Sequence, residues 1–596
     1  MLYRIPLQLN SMASTAFTTR PVIMATHGIT TSSHYLASEA GLQALRRGGN
    51  VADAGATMWF CLTVLKPWLV GLASEVPILI YWADEEKVLA VNGQGPAPKA
   101  ATISWFRDHD YTLIPEDGFL PAVVPGAFDA WVTLLDEYGT FRLSEAMEPA
   151  TRMAEEGFPV FPSLNAAIAR CARRFRTEWP SSAQVYLPGG SVPEVGSLFR
   201  NMELARTFKR IAEAEREGRR YGRSAGLRAA RDYFYRGPVA KSIIEYMKGF
   251  KCRDAYAREN HGLLEVEDFE AYHARIEKPL TVNYRGYDVY KCGPWTQGPT
   301  MLEHLNLLEG FDLQAMGYNS VEYLHTWIEC AKLAFADREQ YYADPDFVEF
   351  PQRLLGKDYA DERRVLVDPT QASMEFRPGG VPSIKLEETE GPKWYEHGSW
   401  KAGDTVHLEA MDGAGNMLSA TPSGGWIPTS PLVPGLGFPM GTRGQMFHLN
   451  PDHVERLDPG KRPSTTLTPS LVTKNDEPYM AFGTPGGDQQ EQWSLQVFLN
   501  HVEFGMDVQL AIDMPSVHTI HVPSSFWPHD AHPGVVHVES RINGDVIEGL
   551  KRKGHKIVVN DPWSHGRCLA IRYNPETGVM FGAASPRTGD PYAVGW

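Results

Sequence analysis

One hydroxyl in this sequence stands where it could become a nucleophile. Asp404-Thr405-Val406-His407-Leu408-Glu409-Ala410-Met411-Asp412 reads as a strand, turns at Gly413-Ala414-Gly415-Asn416 and returns as Met417-Leu418-Ser419-Ala420-Thr421. Residues 370–404 before it are polar, Gly- and Pro-bearing, and acidic at Glu387, Glu388 and Glu390, the composition of an exposed connector. A threonine hydroxyl is a poor nucleophile until a base takes its proton. Were the chain cut before Thr405, the new α-amine would be a base held within reach, with an ordinary pKa of roughly 8. In the uncut chain the same hydroxyl could attack the Asp404 carbonyl and pass through an ester that water opens. An Asp-Thr pair alone is ordinarily a plain strand residue, so the elements around it must decide.

Histidines are the other chemistry-bearing group. His518, His521, His529, His532 and His537 fall within twenty residues, with two pairs at HxxH spacing. Metal ligation needs convergent geometry, and Pro515, Pro523, Pro528 and Pro533 keep these pairs off one helical face. The segment is therefore expected to be a polar surface or interface loop, with no metal and no other cofactor. His407 shares a strand face with Thr405. It either touches the site or is a satisfied core histidine, and the core role is expected.

Other elements must position these groups. Ala37, Ala40, Gly41, Ala44 and Leu45 recur at helical spacing, with Gly48-Gly49 closing the helix. A second helix of small residues follows Asn50, with Asp53 in its first turn. Val76–Tyr81 reads as a buried strand, turning at Asp84-Glu85-Glu86 into a second strand through Val91. The Arg-rich stretch 200–235 is expected to be a solvated helix or hairpin carrying i,i+4 charge pairs rather than a nucleic-acid surface. Residues 319–341 predict a long amphipathic helix with Tyr323, Leu324, Trp327, Ala331, Leu333, Ala334 and Phe335 on its buried side.

Composition narrows the function classes. At 596 residues the chain is about four times a single small core. With 57 basic and 72 acidic residues the net charge is -15, which argues against nucleic acid or an anionic membrane as main partner. Hydrophobic residues at 43% and charged at 22% describe an ordinary globular protein. The six cysteines are scattered with no CxxC pair, and neither a signal-peptide core nor a long apolar run is visible, so a soluble, cytoplasmic protein is expected.

Eight strings occur in an order that carries a specific resemblance. They are SSHYLASEAGLQALRRGGNVADA, VPGAFDAWVTLLDEYG, MAEEGFPV, YRGYDVY, AKLAFADREQYYADPDF, GKRPSTTLTPSLV, FGTPGGD and FGAASPR, spanning residues 32–587. Together with the segment at Thr405 they resemble the gamma-glutamyltranspeptidases, N-terminal nucleophile hydrolases that cut themselves before a threonine. The resemblance implies an α+β fold of four-layer αββα type. It implies a large chain of residues 1–404, whose first twenty read as flexible, and a small chain of residues 405–596. Autocleavage falls between Asp404 and Thr405, and Thr405 then serves as nucleophile. Ser423 takes the place of a second hydroxyl, and Gly486 and Gly487 supply oxyanion-hole N–H groups, each such donor being worth about 3 kcal/mol. Thr465 and Thr466 replace two serines that bind the acyl carboxylate.

Departures from the family fall in the acyl pocket. Gln94 stands where an Arg holds the glutamate α-carboxylate, Gly425 where an Asn follows the second hydroxyl, and Met446 where an acid receives the amine. Arg443 stands in that last segment, and Gly71–Pro77 has lost most of the family's glycines. These changes resemble the branch that includes oxamate amidohydrolase. They imply an autoprocessed amide hydrolase with a changed acyl pocket, acting on a small-molecule amide through acyl-Thr405. A carboxylate without an ammonium is the expected acyl end, since Arg443 would repel an ammonium. A true gamma-glutamyl transferase or glutathione hydrolase, and an uncleaved binding or assembly protein, stay open as alternatives. A homo-oligomer is compatible with the sequence.

Overall fold

The computed structural model describes residues 17–389 and 405–596. Asp404 and the stretch before it back to residue 390, where part of the expected connector falls, lie outside the described residues, as do residues 1–16. Thr19 and Arg20, the last two of the first twenty residues, make hydrogen bonds to the C-terminal part of the chain. Thr19 donates to Asp513 through its N–H (2.6 Å) and its hydroxyl (2.8 Å), and the Arg20 guanidinium donates to the Ser585 carbonyl.

Two seven-stranded sheets, antiparallel throughout, organise the described residues. The first runs in spatial order Tyr592–Gly595, Gly28–Ser32, Leu408–Asp412, Met417–Ala420, Val76–Trp82, Lys87–Gly93, Arg275–Glu277. The second runs Ile23–Ala25, Val579–Ala584, Leu569–Asn574, Glu477–Gly483, Ser470–Lys474, Tyr287–Lys291, Leu280–Tyr284. Period-two alternation explains how the first sheet is covered on both faces. Ile78 and Ile80 join a cluster formed with the helices, whereas Leu79 and Tyr81 pack with Leu471, Ala481 and Ile571 of the second sheet.

Helices Tyr35–Arg46 and Val51–Leu65 form where the small-residue spacing predicts. Asn50 caps the second, its carboxamide accepting from Ala52 N–H at 2.9 Å while Asp53 accepts from Asn50 N–H at 2.9 Å. Every residue of Val51–Leu65 is buried, and the small residues let it nest: a Cβ on Gly55 would come within 2.9 Å of Trp131.

Two helical expectations need correction. Residues 321–341 form one helix, Val321–Tyr341, but its residues are buried continuously from Tyr323 to Arg338, so it is enclosed rather than amphipathic. Its charged residues are accommodated by partners, as where Lys332 pairs with Glu329 at 2.6 Å. The Arg-rich stretch forms the expected helix pair, Met202–Gly218 and Arg223–Tyr235, yet i,i+4 pairs are not what holds it. The buried Glu215 carboxylate accepts from Leu143 N–H (2.7 Å) and Ser144 N–H (2.9 Å) at the start of another helix, and Arg231 binds Asp129 at 2.5 Å. No described helix is long and apolar enough to cross a membrane. All six cysteines are buried and unbridged.

Candidate active site

A hairpin brings the two hydroxyls together. Asp412 organises the turn, its Oδ1 accepting from Ala414 N–H (3.0 Å) and Asn416 N–H (3.1 Å), and Gly415 takes a φ of +89°. Leu408 then lies opposite Ala420, and the same register continued outward sets His407 opposite Thr421 and Thr405 opposite Ser423. All of these are buried, and the odd-numbered positions form one polar face. Thr405 Oγ1 donates to Ser423 Oγ at 3.2 Å. One rung inward, His407 Nδ1 lies 2.9 Å from Thr421 Oγ1 and Nε2 lies 2.9 Å from Glu409 Oε1.

His407 therefore takes the core role. Burial, reinforced by Lys291, pushes its pKa down to about 3, and burial pushes Glu409 well above the ordinary carboxylate range. His407 is therefore uncharged at neutral pH.

Glu75 holds the outer rung from the side. Its backbone pairs with Ser423 in both directions, Glu75 N–H to Ser423 O at 2.9 Å and Ser423 N–H to Glu75 O at 3.0 Å. Its carboxylate accepts from Arg443 Nε at 2.6 Å, and Arg443 Nη2 donates to Ser423 Oγ at 3.1 Å. Arg443 Nη1 points at Met446 Sδ, 3.5 Å away, and the guanidinium lies 5.0 Å over the Trp426 ring. Burial raises the Glu75 carboxyl, and Arg443 opposes that rise. Gly424 makes room for this pair: its φ is +93°, and a Cβ there would stand 2.3 Å from Glu75 Oε2. Arg443 is thus compensated within the protein, which corrects its reading as a lone cation facing the substrate.

Of the remaining expected residues, Gln94, Thr465, Thr466 and Gly487 are buried and Gly486 is half-buried. Gly486, with φ +142°, follows Gly483 at the end of a strand, and a Cβ on it would strike Trp493 at 2.3 Å. Gly487 N–H is taken by the Gln490 side chain at 3.2 Å once that amide is oriented to donate to Thr484 O. Donation from Gly487 to an oxyanion would have to displace Gln490. Gln94 is buried, and neither end of its carboxamide has a partner among the described residues. The Thr466 hydroxyl is in the same condition, while Thr465 Oγ1 accepts from Leu467 N–H at 3.4 Å. A buried amide left unpaired at both ends is costly, so such a group marks a place where a ligand or water completes the bonding.

Three positioning residues escaped the sequence reading. Glu75 had a signal: it is the one charge in the otherwise uncharged stretch Gly71–Pro77 beside a buried strand, and a buried carboxylate demands a partner. Gln297 and Arg338 had none. Gln297 Nε2 donates to both Thr466 O (3.0 Å) and Gly487 O (3.1 Å), so one amide ties the threonine pair to the glycine pair. Arg338 Nη1 fixes that amide by donating to Gln297 Oε1 at 2.9 Å and to Asp488 at 2.6 Å.

The histidine-rich segment is a loop in its middle, where His521, His529 and His532 lie, but its two ends are strands, Val517–Thr519 and Val535–Glu539. His518 and His537 sit opposite each other on paired strands, their rings stacked at 4.9 Å, and buried His518 meets His565 edge-on at 4.6 Å. His529 instead stacks on His448 at 4.2 Å. Among the described residues no group of His, Cys, Asp or Glu has the arrangement to hold a metal ion.

The gamma-glutamyltranspeptidase family model matches residues 37–595. The chain is 31% identical to the glutathione hydrolase-like YwrD proenzyme of Bacillus subtilis, over 96% of this chain and 99% of that one. The solved structure of LmbA2991HD matches with a TM-score of 0.91 at 40% identity, covering 98% of this chain and all of the other. Cephalosporin acylase from Bacillus halodurans matches with a TM-score of 0.81 at 32% identity over 99% of both chains. The oxamate amidohydrolase proenzyme of Klebsiella pneumoniae is 27% identical over 95% of this chain and 98% of its own, so the resemblance to that branch holds.

Proposed function

Since the chain belongs to the gamma-glutamyltranspeptidase family and is an enzyme of it, we propose that it cleaves itself between Asp404 and Thr405 and then hydrolyses an amide through an acyl-Thr405 ester. The observation that carries this is the buried Thr405–Ser423 contact at the head of a strand, 3.2 Å between hydroxyl oxygens. Scission gives Thr405 an α-amine, which takes the hydroxyl proton as Oγ1 attacks the amide carbon. The proton passes to the leaving amine, and water then opens the ester to regenerate the hydroxyl. Ser423, held by Arg443, orients Oγ1. Gly486, and Gly487 once Gln490 gives up its N–H, act as the oxyanion donors, and Gln297 holds the Gly487 carbonyl. The two sheets with helices packed outside them support the four-layer αββα reading, with residues 1–404 and 405–596 as the two chains.

The acyl pocket follows from charge. The Arg443–Glu75 pair leaves no net charge, Met446 is apolar, and Gln94 offers a neutral donor and acceptor side by side. An acyl group without the α-ammonium of glutamate fits these groups, and Gln94 together with Thr465 and Thr466 would receive its polar end.

Denaturing electrophoresis and amine release test the reading together. The wild type should give two fragments meeting at residue 405, and should release amine from uncharged acyl amides faster than from gamma-glutamyl ones. Fragmentation that persists in Thr405→Ala would remove Thr405 from the mechanism. Faster turnover of gamma-glutamyl amides would restore glutathione hydrolase as the function.

A further inference from the structure

Met446 lines an open cleft. Contacts lead to it from the nucleophile: Thr405 to Ser423 at 3.2 Å, Ser423 to Arg443 at 3.1 Å, Arg443 to Met446 Sδ at 3.5 Å. Thr465 also lines it, so the cleft extends the pocket assigned above to the acyl group, and the inference rests on that assignment.

The cleft's charges are already engaged. Arg338 donates through Nε (2.9 Å) and Nη2 (2.6 Å) to Glu339, and Glu455 is bound by the Ser464 hydroxyl and N–H. One wall is formed by His448 and His453. Their ring centroids are 3.6 Å apart at 16°, and His529 lies 4.2 Å from His448 at 26°. Two near-parallel rings cannot share one face of His448 at those distances, so His448 lies between its neighbours and shows the cleft its edge. The spacing of the loop locks this arrangement: His453 Nδ1 accepts from Glu455 N–H at 3.0 Å, leaving its Nε2 to carry the proton. Burial holds all three imidazoles below the ordinary histidine range, His453 at about 4. The wall is therefore uncharged at neutral pH and presents the electropositive rims of stacked rings, which is what the π face of an aromatic ring meets in an edge-to-face contact.

We propose that the His448–His453 wall is a subsite for an uncharged aromatic ring carried by the acyl half of the amide substrate. The substrate class is then an aryl-substituted acyl amide, larger than a glutamyl one.

Amides sharing one leaving group, with acyl chains of equal length ending in phenyl, cyclohexyl or carboxylate, test it. The phenyl compound should exceed the cyclohexyl one in kcat/KM by about tenfold, the scale of such ring contacts. His448→Ala should reduce that ratio to about twofold, and His453→Leu should lower it too, whereas His448→Phe, which keeps a ring in the stack, should preserve most of it. Equal turnover of phenyl and cyclohexyl compounds by the wild type, a ratio unchanged in both His448→Ala and His453→Leu, or preference for the carboxylate would overturn the subsite. If those outcomes arise while Thr405→Ala abolishes turnover, only the subsite fails. If Thr405→Ala hydrolyses the amides as the wild type does, the underlying mechanism fails.

Discussion

Two rungs of one hairpin use similar residues for opposite ends. The outer rung pairs Thr405 with Ser423, the inner one His407 with Thr421, and both are buried. The inner rung is closed by Glu409, and the second sheet presses on it: a Cβ on Gly483 would lie 2.3 Å from the His407 ring. The outer rung is tied to a compensated ion pair and, through it, to an open cleft. A buried polar pair becomes a candidate for chemistry when its neighbours are charged and lead to space, not because it is polar.

The largest test of this contrast is Thr405→Ala, which should leave a single unprocessed chain and no detectable amine release, since cleavage and turnover use the same hydroxyl. Thr405→Ser should still process, more slowly. Next comes the ion pair. Glu75→Gln leaves Arg443 buried without its counter-charge and should cost about 3 kcal/mol in denaturant unfolding. Glu75→Gln combined with Arg443→Met should recover part of that loss. A full, undiminished loss in the double variant would mean that packing, not charge compensation, is what Glu75 supplies.

Smaller effects separate the rungs directly. Ser423→Ala should lower kcat about tenfold, equivalent to about 1 to 2 kcal/mol. Thr421→Val, the comparable change on the inner rung, should cost about 1 to 2 kcal/mol of stability while turnover stays within about twofold. Equal kinetic damage from both would erase the distinction.

The smallest test is a pH profile of stability. Glu409, held above the ordinary carboxylate range by burial, binds a proton in the fold that the unfolded chain has released. Its share of stability is complete below an unfolded pKa of roughly 4.3 and declines as pH rises through the folded value. Glu409→Gln removes that titration, so its advantage over the wild type should be absent near pH 4 and grow as the pH rises above the unfolded value. A difference that does not change with pH would show Glu409 ionised in the fold.

Local patterns were legible where neighbours in sequence determine structure. The capping at Asn50 and Asp53, the alternation at 76–91 and the turn at Gly413–Asn416 are short-range, and each formed as its residues predict. The helix at 321–341 was legible in extent but not in burial, because its outer face meets elements far along the chain. Site residues supplied by resemblance lie in buried surroundings, but their partners were not legible. Arg443 reads as a cation until Glu75, 368 residues away, is placed against it. Gln297 carries no sign in its own segment that Thr466 and Gly487 will meet there.

The strand order of the first sheet has a consequence for the life of the protein after it is made. Leu408–Asp412 and Met417–Ala420 are flanked by Gly28–Ser32 on one side and Val76–Trp82 on the other, and Tyr592–Gly595 closes the far edge against Gly28–Ser32. A break before Thr405 would turn this sheet into a weave of two molecules, neither owning a contiguous half. Such a weave unravels only by breaking several ladders at once, so its durability is a matter of rate rather than equilibrium. Its reconstruction from separated pieces would lack the tether that once set the strands in order. The intact precursor would then be its own single-use assembly jig, and cutting it a step without a return path.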